Sequence, residues 1–600
     1  MLFGKYVNRF YKKYFWFFFV GVISLIVVDF AQVLIPYMFG DLIDGINGKE
    51  SSLLYKFDGV LVYVIILLVV AITMLIGRFL WRYCVIGTSH KIEGDLRFDL
   101  FNHSLKLSVS YYKEHKIGAL MALYTNDLMS IRQTFGLGMV AFVDMIFLGI
   151  FALIMMIITN PLLTLMAVVP MIIIVISAVI VEKKLKEKFL KRQEAYDMLS
   201  DFSEENFSGI FVIKAFVKEK LELKHFDIIN KDNYIKNIQY VRYSTLLDTI
   251  LTLLISVIFV VLFAGGSYFV NTHQVFFGNE FTAGNMVKFV GFFDILIWPF
   301  LAISLIIRYT AEGKTSYKRI EEFLDSKVEI NDDLAKDLKE LKGNIKFNHL
   351  SFKYPDSKDI YALKDISFEI NQGEMVGIIG KTGSGKTTIV DLLLRTYNVE
   401  KNSILIDGTD IMEIPYKVLR DNIGYVPQDN FLFSDSIINN IAFAYDYDKK
   451  PSYEEVRNAA KLAYVDTNID GFTNKYETIL GERGVTLSGG QKQRVSIARA
   501  LIKDPLILIL DDSVSAVDTE TEATILSNLR KERKNKTTIF VAHRISTIES
   551  LDKIIVIDDG MVSGVGTHLE LLKTNKLYQE MVHLQNLETK IENGGDTNAD

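Results

Sequence analysis

Six stretches of mostly apolar residues, at about 15–40, 59–84, 136–159, 161–181, 245–270 and 284–308, occupy the first half of this chain. A span of the hydrocarbon layer needs roughly 20 such residues. Inside that layer backbone N–H and C=O groups find no water, so each stretch must fold as a helix that pairs its own backbone. The bulk numbers agree: half the residues are hydrophobic and mean hydropathy is +0.23, which suits a chain partly in lipid. Residues 340–590 read instead as a soluble α/β domain, and the change falls near AEGKTSYKRIEEFLDS (311–326). The net charge of −6 offers no basic excess to neutralise phosphates, which argues against a nucleic-acid partner. Cys84 is the only cysteine, so no intrachain disulfide can form.

Basic residues set the orientation. Lys5, Arg9, Lys12 and Lys13 precede the first span and hold the N-terminus in the cytosol, while the acid-rich DLIDGINGKE that follows it lies outside. Six spans then return the C-terminal half to the cytosol. The first span is no signal peptide, because its apolar stretch is long and no small-residue cleavage site follows. Asn160–Pro161 alone separates the third and fourth spans. The linkers between spans two and three and between spans four and five are charged, helical in pattern and free of Pro/Gly-rich stretches. They read as cytosolic extensions of the membrane helices. Each holds a short turn region, in 108–128 and 200–220, that can meet the soluble domain.

Charges inside spans cost on the order of 2.5–3.5 kcal/mol each. Asp29, Asp144, Asp294 and Arg78 are such residues. Asp294 and Asp144 are the candidates for a cation-attracting cavity wall; the alternative for each is an interfacial position or pairing with another helix. Trp298 and Pro299 are expected to shape the last helix.

The soluble half begins its chemistry at EMVGIIGKTGSGKTTIVDLLL, a strand, a glycine loop and a helix. Loop N–H groups and a helix N-terminus make an anion site. The candidate ATP-binding residues are Gly380, Lys381, Thr382, Gly383, Ser384, Gly385, Lys386, Thr387 and Thr388. Gly383 and Gly385 let the backbone wrap phosphate, Lys386 sets a cation on the β- and γ-phosphates, and Thr387 offers a hydroxyl to Mg²⁺. Downstream, the apolar strand Leu506–Leu510 delivers Asp511 to the Mg²⁺ shell and Asp512 beside the γ-phosphate, where a carboxylate would orient or deprotonate water.

With LSGGQKQR at 487–494 added, the chain resembles an ABC exporter half-transporter over nearly its whole length. The resemblance implies a polytopic all-α transmembrane domain of six helices (1–310), a linker (311–342), an α/β P-loop ABC ATPase domain (343–587) and a disordered tail (588–600). It implies roles as well: Tyr354 stacks on adenine, Gln428 contacts Mg²⁺ and water, and His543 contacts the γ-phosphate. Ser515 and Asp518 belong to the D-loop, and 481–486 (GERGVT) abuts the turns of the membrane domain. Two such chains would close head to tail over two ATP molecules. Leu487, Ser488, Gly489, Gly490 and Gln491 would then serve the partner's ATP. The function implied is ATP-driven export of small amphipathic molecules or drugs across the cell membrane. A lipid or peptide exporter, or an ATP-gated regulator that does not pump, are the alternatives. The short segment before the first span argues against a processing peptide exporter.

One residue departs from the family pattern. Asp512 stands where Glu is usual, and its side chain is shorter by roughly 1.5 Å. With Leu296–Pro299 (LIWP), this resembles the degenerate-site subunit of heterodimeric bacterial multidrug exporters. The expectation is a heterodimer whose other half-transporter carries Glu, with a homodimer as the alternative.

Overall fold

The computed structural model describes residues 4–592 except 50–51, 57–58, 278, 339, 356, 358–359, 447, 482–483, 485 and 514–516. The chain forms two compact units: Met1–His103 with Gly118–Ser326, and Ser104–Ile117 with Lys327–Asp600.

The first unit is helical. The six apolar stretches lie in α1 (Phe15–Ile46), α2 (Leu61–Ser104), α3 (Ile117–Thr159), α4 (Pro161–Ser208), α5 (Glu219–Asn271) and α6 (Ala283–Leu324). At 1.5 Å per residue, helices of 42 to 53 residues reach about 60–80 Å, twice a hydrocarbon core of about 30 Å. The charged linkers are therefore continuations of the membrane helices. α6 likewise runs 14 residues past the expected boundary at 310, so the first part of the expected linker is helix. Between α3 and α4 the chain turns on Asn160, whose side chain accepts from Leu163 N at 2.9 Å, with Pro161 at the first helical position.

Packing in this unit is uneven. α1 lies against α2, α3 and α6, whereas α4 and α5 pack chiefly on each other. The shared core is built by Leu148, Ala152 and Met156 of α3, Leu163 and Ala167 of α4, Leu262 of α5, and Phe289, Phe292 and Leu296 of α6. α1 and α6 meet backbone to backbone. A Cβ on Gly284 would stand 2.1 Å from Gly40 O. The Gly284 N–H donates to Asp44 Oδ1 at 3.0 Å, and buried Lys288 lies 3.6 Å from Asp44 Oδ2.

The second unit holds two sheets. One is antiparallel, in the order β2-β1-β4-β5, from β1 (Ile345–Phe352), β2 (Leu363–Ile370), β4 (Ile404–Ile406) and β5 (Thr409–Asp410). The other has the order β10-β9-β3-β8-β7-β6, from β3 (Met375–Gly380), β6 (Ile423–Val426), β7 (Ile507–Asp511), β8 (Thr537–Val541), β9 (Lys553–Asp558) and β10 (Met561–Gly566). It is parallel except for β10 at its edge. Every residue of β3, β7 and β8 is buried, because a parallel sheet is covered on both faces and its strands become continuous apolar runs. Buried Arg533 fastens the entry to β7 and β8, donating to Pro505 O (2.9 Å), Thr537 O (3.1 Å) and Thr538 Oγ1 (3.0 Å).

The helices used below are α7 (Lys386–Leu393), α8 (Gly489–Leu501), α9 (Thr519–Glu532) and α10 (Lys576–Glu592). α10 corrects one expectation. Residues 588–592 are helical rather than a disordered tail, and 593–600 lie outside the described residues.

The Gly40–Gly284 contact leaves no room for a side chain. Gly284→Val is expected to cost about 1–3 kcal/mol by overpacking and to lower the midpoint of thermal unfolding of the purified protein. Gly118→Ala, where a Cβ meets nothing, should leave that midpoint within a degree or two.

Candidate functional site

Parallel strands present their C-terminal ends along one edge, where open α/β sheets bind ligands. The register brings the sequence candidates to that edge. Val541 pairs with both Asp511 and Ile378, Val426 pairs with Leu510, and Ile557 pairs with Gly380. The loop from Gly380, Gln428 after β6, Asp511 and Asp512 at the end of β7, and His543 after β8 thus gather at one edge.

The loop from Gly380 to α7 is shaped for an anion. Gly383 (φ 81°) and Gly385 (φ 100°) are left-handed, a conformation that glycine adopts without steric cost. Lys386 is buried and folds back, its Nζ donating to Gly380 O at 2.8 Å and Lys381 O at 3.0 Å. Burial pushes its ammonium below the ordinary lysine value, against the pull of Asp511 and Asp512. Ser384 Oγ is buried without a hydrogen-bond partner among the described residues. Lys381, Thr382 and Thr387 are exposed at the mouth, while Thr388 is buried with its Oγ1 2.9 Å from the Tyr354 hydroxyl.

Asp511 is 2% exposed, and its Oδ2 has no partner among the described residues. Burial pushes its carboxyl up to about 6; Asp512 and Asp391 add to this, and a Thr387 hydrogen bond and Lys386 oppose it. A desolvated carboxylate with a bare oxygen, bonded to a threonine hydroxyl, is the donor set a hard divalent cation takes. The residues therefore fit Mg²⁺. Asp512 is half-buried with a left-handed backbone (φ 46°), its N–H donating to Val541 O at 2.8 Å. Burial and Lys386 push the His543 imidazole below its ordinary value, and Asp512 pulls it back up. These mutual effects put Lys386, Asp511, Asp512 and His543 within electrostatic range of one another. Gln428 is exposed, and its backbone carbonyl accepts from Asn430 Nδ2 at 3.4 Å.

The signature stands apart from this cluster as a helix start. Ser488 caps α8 through a reciprocal box: its Oγ accepts from Gln491 N at 3.3 Å, and Gln491 Oε1 accepts from Ser488 N at 3.0 Å. Leu487 anchors it in the core, leaving Ser488 and Gly489 exposed and Gly490 half-exposed. Asp518 caps α9, accepting from Thr521 N and Thr521 Oγ1, both at 2.9 Å. Ser515, and residues 482–483 and 485 of the GERGVT segment, lie outside the described residues.

In the membrane unit the carboxylates divide. Asp144 is buried and accepts from Trp298 Nε1 at 2.9 Å, so it pairs with α6. Asp29 is buried within electrostatic range of Asp144, and each leaves one oxygen without a hydrogen-bond partner among the described residues. Asp294 and Arg78 are exposed on their helices.

The site and the helical unit together decide the family. Residues 18–300 match the ABC transporter transmembrane region, and residues 363–515 match the ABC transporter family. A relative from Bacillus subtilis (strain 168), named "Probable multidrug resistance ABC transporter ATP-binding/permease protein YheI", is 37% identical over 98% of this chain and 99% of its own length. The chain belongs to the ABC transporters. Another member, the ATP-dependent lipid A-core flippase of Photorhabdus laumondii, is 31% identical over 94% of this chain and 95% of its own. The fold is that of a solved bacterial Atm1-family ABC exporter with ATP bound, with a TM-score of 0.76 at 26% identity, covering 96% of this chain and 98% of that one. This ABC transporter is thus an ATP-hydrolysing, multi-pass membrane exporter with its ATPase domain on the cytosolic side.

One supporting residue had no signal in the sequence. Gln585 of α10 brackets the His543 loop, its Oε1 accepting from Ile545 N at 2.6 Å and its Nε2 donating to His543 O. A lone glutamine on an amphipathic helix shows nothing of such a contact until the fold is known. Each such hydrogen bond is worth about 0.5–1.5 kcal/mol. Gln585→Leu is expected to cut ATP turnover about tenfold with ATP affinity within twofold of wild type, as measured by steady-state hydrolysis and equilibrium nucleotide binding.

Proposed function

We propose that this chain is one half of a two-chain exporter that drives small amphipathic molecules or drugs outward with ATP, and that its own ATP site turns over slowly. ABC exporters work as dimers, and two features of this chain suit that. α5 is largely unburied within the single chain, and the α4–α5 turn carries Phe211 at 82% and Val217 at 78% exposure, an apolar tip suited to a partner's surface. The signature is an exposed helix N-terminus, which favours an anion supplied from outside the chain. In this reading Ser488, Gly489 and Gly490 bind the γ-phosphate of the partner's ATP.

On this chain's own ATP, the N–H groups of residues 381–388 and the Lys386 ammonium would hold the phosphates, and Tyr354 would stack on the base. Thr387, Asp511 and Gln428 would hold Mg²⁺, which supplies positive charge to the β- and γ-phosphates. His543 would donate to the γ-phosphate, and Asp512 would face the attacking water. The observation that carries the slow-site reading is Asp512 itself. A general base contributes about 10²–10⁴-fold, and much of that depends on a reach that the shorter side chain lacks. The partner would carry Glu at the equivalent position. Asp294, exposed on α6, favours neutral or positively charged cargo. A lipid cargo is the second reading, favoured by the likeness to a lipid flippase.

Asp512→Asn should leave more than half of the turnover of the complex purified from its native membrane, whereas Asp512→Glu should raise the turnover of this chain's site about tenfold. Loss of all turnover in Asp512→Asn would make Asp512 the working base and the homodimer the correct assembly.

A further inference from the structure

Lys113 reaches the ring on which an adenine would stack. It lies in the short helix Val109–Glu114, within the turn that joins α2 to α3, and that turn (Ser104–Ile117) belongs to the same compact unit as the ATPase domain. Its Nζ donates to the Tyr397 hydroxyl at 2.8 Å. The same ammonium stands 5.3 Å from the centroid of the Tyr354 ring and 5.4 Å from that of Tyr397. The two tyrosines meet edge to face at 5.3 Å, and Phe352 closes the cluster at 5.2 Å from Tyr354 and 5.6 Å from Tyr397. A second contact fixes the turn: Ser108 Oγ donates to Glu329 Oε2 at 2.7 Å, while Asn398, beside Tyr397, donates to Glu329 O at 2.9 Å. The Tyr354 hydroxyl in turn meets Thr388 in the first turn of α7. Cation, aromatic platform and phosphate-binding helix are therefore one continuous set of contacts.

We propose that Lys113 is a positioning residue for the adenine of ATP, holding the Tyr354 ring in place, so that the α2–α3 turn senses directly whether the base is bound. The proposal rests on the reading of Tyr354 as the adenine platform. An unheld tyrosine on a loop must lose side-chain freedom when a base stacks on it, and Lys113 and Thr388 have already fixed this one. A cation above an aromatic ring is held more tightly when water is excluded, and a stacked base excludes water from this cluster. The lysine contact then raises affinity for the base, and by linkage the base strengthens the lysine contact. The phosphates are held by other groups, so the effect is confined to ligands that carry a base.

The test uses the full-length transporter, purified in its native assembly and placed in nanodiscs. Photolabelling of this chain by 8-azido-ATP, resolved from any partner on a gel, is competed by ATP and separately by inorganic triphosphate. Lys113→Met is expected to weaken competition by ATP about three- to tenfold and to leave competition by triphosphate unchanged. Lys113→Arg, which keeps the cation, should stay within twofold of wild type. In a Tyr354→Ala background, Lys113→Met should have no further effect. Unchanged competition by ATP in Lys113→Met overturns the proposal, and so does an equal loss for ATP and triphosphate, which would mark general damage to the unit. If Tyr354→Ala alone leaves ATP competition unchanged, the platform reading itself fails and takes the proposal with it.

Discussion

Two carboxylates, Asp511 and Asp512, end one buried strand beside a single buried ammonium, Lys386. That imbalance organises the soluble half. Charges in a low-dielectric site must be paired or must shift towards neutrality, and here both responses are visible. Burial pushes the Asp511 carboxyl up to about 6, and Lys386 folds onto backbone carbonyls. Mg²⁺ would cancel the excess negative charge on Asp511, and phosphate would draw Lys386 off the carbonyls. The sheet register, the glycine conformations and the anchoring of the His543 loop by Gln585 all converge on this site, which its ligands would complete.

The membrane half is incomplete in another sense. α1, α2, α3 and α6 bury side chains against one another, while α4 and α5 have mainly each other. Phenylalanines at the far turn of that pair remain exposed. A single chain thus leaves unpaired both an apolar tip and, in the soluble half, a signature helix start. Each deficit is of the kind that a second half-transporter removes, and the two occur in different units of the chain. Dimerisation would therefore engage both units at once, as a device that couples nucleotide to membrane helices requires.

Much of this was legible in the residues. Each of the six apolar stretches falls in a helix, and among the described residues five of these helices are long and apolar enough to cross a membrane while the fourth has a shorter apolar part; Asn160–Pro161 marked the α3–α4 turn, because a proline at the first helical position starts the next helix. Strand–loop–helix spacing located Lys386, and the apolar run before Asp511 located the partner strand. What local pattern could not show were contacts between distant segments. The Asp144–Trp298 bond crosses from α3 to α6. Lys113 reads as one charge in a solvated linker until the fold sets it over Tyr354. α10 was lost to polarity: the composition of 588–592 favours disorder, yet the helix is carried through it from Tyr578, which is fully buried.

The Asp512 backbone bears on how much its side chain can matter. A left-handed conformation costs a residue other than glycine roughly 1–2 kcal/mol, and aspartate tolerates it better than most. The conformation is held from outside: the Asp512 N–H is bonded to Val541 O, and its carbonyl accepts from Gln493 Nε2 of α8 at 3.4 Å. Both bonds are made by backbone groups of Asp512. Gln493 also lies on the helix that begins with the signature. The strand end serving this chain's ATP is thereby tied to the helix that would serve the partner's.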